Sequence, residues 1–96
     1  MKPSEILAEK RDAVLAVIAQ SRFDNPRLFG SVARGEDKEG SDLDILVDAH
    51  EGASLFDLVG LELQLIDLLG VQVDVFTPDS LKKDILPRAL RDQRPL

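Results

Sequence analysis

The chain has no cysteine. Disulfides and thiolate metal sites are therefore excluded. It has no tyrosine and a single histidine, His50. His50 follows a strand-like run in a polar loop, so it reads as a surface residue rather than a catalytic base or ligand. No run of residues is long or apolar enough to span a membrane. The first residues, MKPSEILAEKRD, lack the apolar core of a signal peptide. A cytoplasmic protein without membrane contacts is expected. Internal repeats, low-complexity segments and linkers are missing as well. Bases are the minority charge, with 12 Lys and Arg against 18 Asp and Glu, for a net charge of −6. That balance argues against unaided nucleic-acid binding, which rests mostly on Lys and Arg neutralising phosphates.

What is present suits one globular domain over residues 1–96. Apolar residues make up 44% of the chain, too many for disorder. A chain of this length buries roughly 60–70% of its unfolded surface, enough for one core and one shallow site. The charge is uneven. Glu36, Asp37, Glu39, Asp42, Asp44, Asp48 and Glu51 face only Lys38 within residues 36–51. Lys82, Lys83, Arg88, Arg91 and Arg94 make residues 82–94 basic. The acidic block suits divalent cations. The basic tail suits an acidic partner or nucleotide phosphates, or is simply solvated surface.

Pro3 and Ser4 open a helical pattern in which Ile6, Leu7, Val14, Leu15 and Ile18 recur to about Gln20. Residues 22–26 read as a break, and Arg27, Leu28 and Phe29 as a short strand ending at Gly30. One helical turn over Ser31–Arg34 follows, then a charged loop from Gly35 to Gly40. Ser41 to Val47 alternates as a strand, with Leu43, Ile45 and Val47 on one face and Asp42, Asp44 and Leu46 on the other. Ser54 is placed to cap a helix over Leu55–Leu69, and Gly70 to end it. Val71 to Phe76 is a third strand, with Asp74 on the face opposite Val73 and Val75. Thr77 and Pro78 read as the cap and first residue of a further helix. The rest is one or two short helices interrupted near Pro87. This order predicts a small α/β domain, a mixed sheet with helices packed on it.

Two carboxylates at alternate strand positions share a face, with Cα atoms roughly 6.5 Å apart. Asp42 and Asp44 can therefore converge on a hard cation such as Mg²⁺, which takes one or two carboxylates together with substrate phosphate. If the strand carrying Asp74 lies alongside, about 4.8 Å away, three carboxylates share one site. Two metals about 3.5–4 Å apart clamp the attacking and leaving oxygens of an in-line displacement. Such crowding needs a bound cation or shifted pKa values.

Gly30-Ser31 ends one strand and opens a helical turn. Free N–H groups there, the lack of a glycine side chain and the Ser31 hydroxyl suit a phosphate. Arg34 lies one turn on and can meet a phosphate too. The spacing is neither a P-loop nor a dinucleotide fingerprint. A phosphate cradle shortly before a metal-binding pair is what a nucleoside triphosphate with Mg²⁺ needs.

Gly30-Ser31, ten residues, then Asp42-Leu43-Asp44 resembles the Gly-Ser-x10-Asp-x-Asp motif of the DNA polymerase β-like nucleotidyltransferases. The string from Gly30 to Gly35 with Ser41 to Val47 resembles their minimal nucleotidyltransferase (MNT) branch, over roughly residues 27–76. The resemblance implies the polymerase β-like nucleotidyltransferase fold and transfer of a nucleoside monophosphate to an acceptor hydroxyl, with ATP as substrate. It implies that Gly30 and Ser31 hold the triphosphate, with Arg34 in support. It implies that Asp42 and Asp44 bind two Mg²⁺ ions and that Asp74 binds the catalytic one and helps deprotonate the acceptor. Minimal members resemble antitoxins that pair with a HEPN-domain ribonuclease toxin and adenylylate a toxin tyrosine. A chain without tyrosine cannot modify one of its own. It is also short of the acceptor-binding domain of the antibiotic and tRNA enzymes, so a partner is expected to present the acceptor. The alternative is an antitoxin that neutralises its partner by occlusion alone.

The apolar residues of Leu55–Leu69 cover an arc of about 220°, well beyond the ~100° one core face needs. The excess fits either a second subunit or a helix sunk deep in the core. Glu62 falls inside that arc with no evident reason.

Overall fold

Two helices cover one face of a four-stranded sheet. The computed structural model describes all residues, 1–96. The first helix, α1 (Pro3–Ala19), turns Leu7, Val14 and Ile18 inward. Its N-terminus is finished from a distance: Asp37 accepts a hydrogen bond from the Ser4 N–H at 2.9 Å. Burial pushes the Asp37 carboxyl up, but the Ser4 backbone and hydroxyl outweigh that and hold it below its ordinary range.

Strand β1 (Phe23–Phe29) starts earlier than its sequence pattern predicts. The expected break at 22–26 is a bulge inside the strand. Asn25 has φ 49°, and the pairing register slips between Asp24 and Arg27. An irregular step of this kind absorbs Pro26, which has no N–H for a regular ladder. The short helix α2 (Gly30–Ala33) follows directly. Strand β2 (Leu43–Ala49) runs two residues later than expected, because Phe23 and Asp24 pair with its end at Ala49 and Asp48.

Helix α3 has the predicted limits, Leu55–Leu69. Ser54 Oγ accepts from the Asp57 N–H, and the Asp57 carboxylate accepts from the Ser54 N–H, a reciprocal cap. Gly70 ends the helix with φ 70°. Strand β3 covers Val73–Phe76, two residues shorter at its start than expected. Pro78–Ser80 form one tight helical turn after Thr77. In helix α4 (Leu86–Asp92) Pro87 stands in the first turn instead of interrupting anything, where its missing N–H costs no hydrogen bond. A two-residue strand β4 (Arg94–Pro95), which the sequence pattern does not announce, pairs with β1.

The order across the sheet is β3-β2-β1-β4. β2 and β3 are parallel, and β1 is antiparallel to both its neighbours. The sheet is therefore mixed, as predicted. Leu43, Ile45 and Val47 of β2 and Val73 and Val75 of β3 pack against Leu58, Leu61, Leu65 and Leu69 of α3 and the inner side of α1. Each such side chain contributes about 1.5–3 kcal/mol by leaving water. The opposite face holds a smaller cluster, Phe29, Leu46 and Ala89, with Phe76 and Leu81 against it.

Glu62 now has an explanation. Its carboxylate accepts from the Val75 N–H at 2.9 Å, so the helix satisfies a backbone donor on the edge strand β3. Leu55, Phe56, Val59 and Leu63 of α3 stay exposed, Phe56 at 90%. The helix is not sunk in the core. His50 is exposed, as expected, with Nε2 3.1 Å from Asp24 Oδ2.

Candidate functional site

Alternation along β2 sends Leu43, Ile45 and Val47 to the helices and leaves Asp42, Asp44 and Leu46 for the other face. In the parallel pairing, Asp44 stands opposite Asp74 and Leu46 opposite Phe76. Paired residues share a face, so Asp44 and Asp74 are side by side on the face away from α1 and α3. In the antiparallel pairing Phe29 stands opposite Asp44. The backbone leaves the sheet one residue later, at Gly30, and so reaches the level between Asp44 and Asp42.

Gly30 answers two demands at once. Its φ is 72°, a conformation glycine adopts at little cost. A Cβ built there would lie 2.5 Å from Asp44 Oδ2. No side chain fits between the corner and the carboxylate. Glycine and aspartate are thus held in contact from opposite sides of a ten-residue spacer. Ser31 is half-buried at the start of α2, and its carbonyl accepts the Glu36 N–H at 2.8 Å, which closes the charged loop back on the corner.

Asp44 is half-buried. Its desolvation, followed by the charges of Asp74 and Asp42, pushes its pKa up to about 6, against a smaller pull downward from Arg34. Asp42 is exposed at the mouth of the site. Gln72, which sequence reasoning did not single out, points Nε2 toward Asp74 Oδ1 at 3.5 Å. Its signal was the alternation that puts positions 72, 74 and 76 on one face.

Arg34 is placed differently from its neighbours. Its guanidinium donates to Asp92 at 3.0 Å and to Glu36 at 3.2 Å. It faces the site by its charge and is held at the side by two carboxylates. Neither Asp92 nor Glu36 was legible as its partner, since the first comes from α4, 58 residues away.

The side chains as placed do not gather three acidic or imidazole groups tightly enough to hold a metal ion together. The donor set nevertheless fits a hard divalent cation. All three candidates are carboxylates, the ligand type Mg²⁺ takes, and the Asp44 carboxyl, raised first by its burial and then by the charges of Asp74 and Asp42, is one that a bound cation would relieve. Asp42, Asp44 and Asp74 are the residues that would hold it.

Known proteins resemble this arrangement over most of its length. The pattern of the nucleotidyltransferase domain family matches residues 25–96. MJ0435 of Methanocaldococcus jannaschii, provisionally named a protein adenylyltransferase, is 39% identical over 84 residues, which cover 88% of this chain and 90% of that one. The protein adenylyltransferase MntA of Thermococcus cleftensis is 49% identical over 65 residues, 68% of this chain and 66% of that one. A solved structure, provisionally described as a minimal nucleotidyltransferase, superposes with a TM-score of 0.84 at 44% identity, covering 97% of this chain and 95% of that one. A toxin–antitoxin structure with AMP-PNP shares the fold, at TM-score 0.72 and 22% identity over 91% of this chain and 69% of that one.

Fold and relatives together define an enzyme of the nucleotidyl-transferring class. The chain belongs to the nucleotidyltransferase domain family, in company with protein adenylyltransferases and a minimal nucleotidyltransferase. No helix is long and apolar enough to cross a membrane.

Proposed function

We propose that residues 1–96 act as a minimal nucleotidyltransferase domain that moves AMP from ATP, with Mg²⁺, onto a hydroxyl of a partner protein. The observation that carries this reading is the contact between Gly30 and the Asp44 carboxylate, with Asp74 level with Asp44 on the next strand. It joins the glycine–serine corner to the acidic residues. Gly30 and Ser31 bind the β- and γ-phosphates. Asp42 and Asp44 would hold two Mg²⁺ ions, and Asp74 would share the catalytic one. When bound, Mg²⁺ polarises the α-phosphate and neutralises charge on the leaving oxygens. Arg34 reaches the phosphates by exchanging Asp92 and Glu36 for them. The acceptor oxygen bonds to the α-phosphorus as the bond to the bridging oxygen breaks. Pyrophosphate leaves with that electron pair, and Asp74 takes the acceptor proton.

The partner in this reading is a HEPN-type ribonuclease toxin, and the acceptor one of its tyrosines. The support is the naming of relatives as protein adenylyltransferases, the toxin–antitoxin complexes that share the fold, and the absence of tyrosine from this chain. The test is to incubate the chain with ATP, Mg²⁺ and the protein encoded beside it, then weigh that protein. A gain of one or more AMP masses that Asp42→Asn and Asp44→Asn remove is the expected result. Neutralisation that survives both substitutions, with no mass gain, instead makes the chain an antitoxin acting by occlusion. The exposed stripe Leu55, Phe56, Val59 and Leu63 on α3 is the observation that favours that second reading.

A further inference from the structure

On α3 the residues turned away from the core follow one line along the helix. Phe56, Val59, Gly60, Leu63 and Asp67 are all exposed, spaced as one helical face. Phe56 and Leu63 are 90% and 60% exposed, so large apolar side chains stand bare at both ends of the line. Gly60 sits between them. Glycine is a poor helix former, and nothing within this chain asks for one there. Its backbone is not among those with positive φ, and a Cβ at Gly60 would meet nothing within 4 Å. A groove of about 300 Å³ opens beside it instead, toward Gln20 and Arg22. What a missing side chain does allow is the close approach of a second backbone.

The spacing names the occupant. From its middle, between Val59 and Gly60, the line reads alike in both directions, with Phe56 and Leu63 equally far out. A two-fold axis across the helix at that point sets Phe56 of one copy against Leu63 of the other, twice, and Val59 against Gly60 at the crossing. A helix from a different protein would need no such symmetry. The charges agree. Asp67 falls opposite Gly52, beyond the end of the other helix. Glu62 is engaged with the Val75 N–H, and Arg22 stands 3.8 Å from Asp57 on the flank. No bare like charges therefore confront each other. An exposed apolar patch of roughly 300–600 Å² is enough to mark an interaction surface, whereas a tight complex covers about 800 Å² per partner. A single helix crossing is accordingly expected to hold in the micromolar range, roughly 1–100 μM.

We propose that this face of α3 is a homodimer interface, in which two copies of the chain cross antiparallel at Val59 and Gly60. The inference stands apart from the nucleotidyltransferase reading above. The carboxylates lie on the sheet face away from α1 and α3, so both copies keep their sites open on the outside of the pair.

The test uses the full chain, whose lack of cysteine lets single thiols report the crossing. Under mild oxidation Gly60→Cys is expected to give a disulfide-linked dimer, because the axis brings the two copies of that position together. Phe56→Cys alone is expected to stay monomeric and to link only to Leu63→Cys in a mixture of the two. Sedimentation of the parent chain up to about 300 μM is expected to show a monomer–dimer equilibrium. Phe56→Asp and Gly60→Leu are each expected to weaken it at least about tenfold. Neither should lower the melting temperature of the monomer, since position 60 has room for a side chain and Phe56 stands in water. A chain that stays monomeric throughout that range overturns the proposal. So does a dimer indifferent to both substitutions, or a Phe56→Cys chain that links to itself as a parallel pair would. If the chain alone is monomeric and Phe56→Asp instead abolishes binding to the protein encoded beside it, the stripe belongs to that partner and the proposal falls too.

Discussion

One side of the sheet is dry throughout, whereas the other sets its carboxylates beside a small apolar cluster, although the same strands make both. Leu43, Ile45, Val47, Val73 and Val75 point to the helices, each 4% exposed or less. The residues alternating with them, Asp44 and Asp74, with Asp42 just before β2, point the other way and crowd like charges around a half-buried carboxyl. The dry side gains by burial and close packing. The charged side gives up stability to keep carboxylates together, as sites of ion and phosphate chemistry do. Substitutions on the two sides should therefore separate stability from activity.

The largest separation is expected at Asp44 itself. Asp44→Asn should lower AMP transfer by about a thousandfold or more without loss of melting temperature, read by a mass assay beside a thermal melt. A variant that keeps activity would break the assignment of the charged side. Leu65→Ala should do the reverse. It opens a cavity among fully buried residues and should cost about 2–5 kcal/mol in denaturant unfolding, with activity per folded molecule retained.

Gly30→Ala joins the two sides. The strained φ and the 2.5 Å approach to Asp44 Oδ2 should cost about 1–3 kcal/mol and weaken nucleotide binding in calorimetry. Full retention of both would show that the corner has room.

A smaller effect concerns pH. The folded chain holds the Asp44 proton up to about pH 6, above the ordinary value of 3.8. Below that ordinary value the contribution is fully present, and it is lost as pH rises through about 6. Without metal, the difference in stability between the parent chain and Asp44→Asn should therefore swing by about 1–2 kcal/mol from pH 4 to 7, partial exposure considered. Asp44→Asn should be the relatively more stable chain at pH 7. A difference that stays flat with pH would mean the carboxyl is not perturbed. The smallest expected effect is Glu62→Ala, about 1 kcal/mol, with faster exchange of the Val75 amide as its signature.

Local pattern carried much of this. Period-two alternation marked both acidic strands, and Ser54 with Gly70 marked α3 to the residue. Those signals lie within a few residues of one another. The beginning of β1 was hidden because Asn25 and Pro26 break a local pattern that a partner strand restores. β4 is too short to carry alternation, and Asp37, Glu62 and Arg34 bind groups 33, 13 and 58 residues away. Nothing local marks such partners.

The amino-acid sequence by itself determined which residues share a strand face, where α3 starts and stops, and that a glycine–serine turn precedes two spaced carboxylates. Spacing along one chain is enough for those features, since backbone periodicity translates it directly into direction. Only the tertiary structure decided that Asp74 stands level with Asp44 and that Gly30 lies too close to the Asp44 carboxylate to carry a side chain. Those relations depend on the register between strands distant in sequence, which is set by the packing of the whole core.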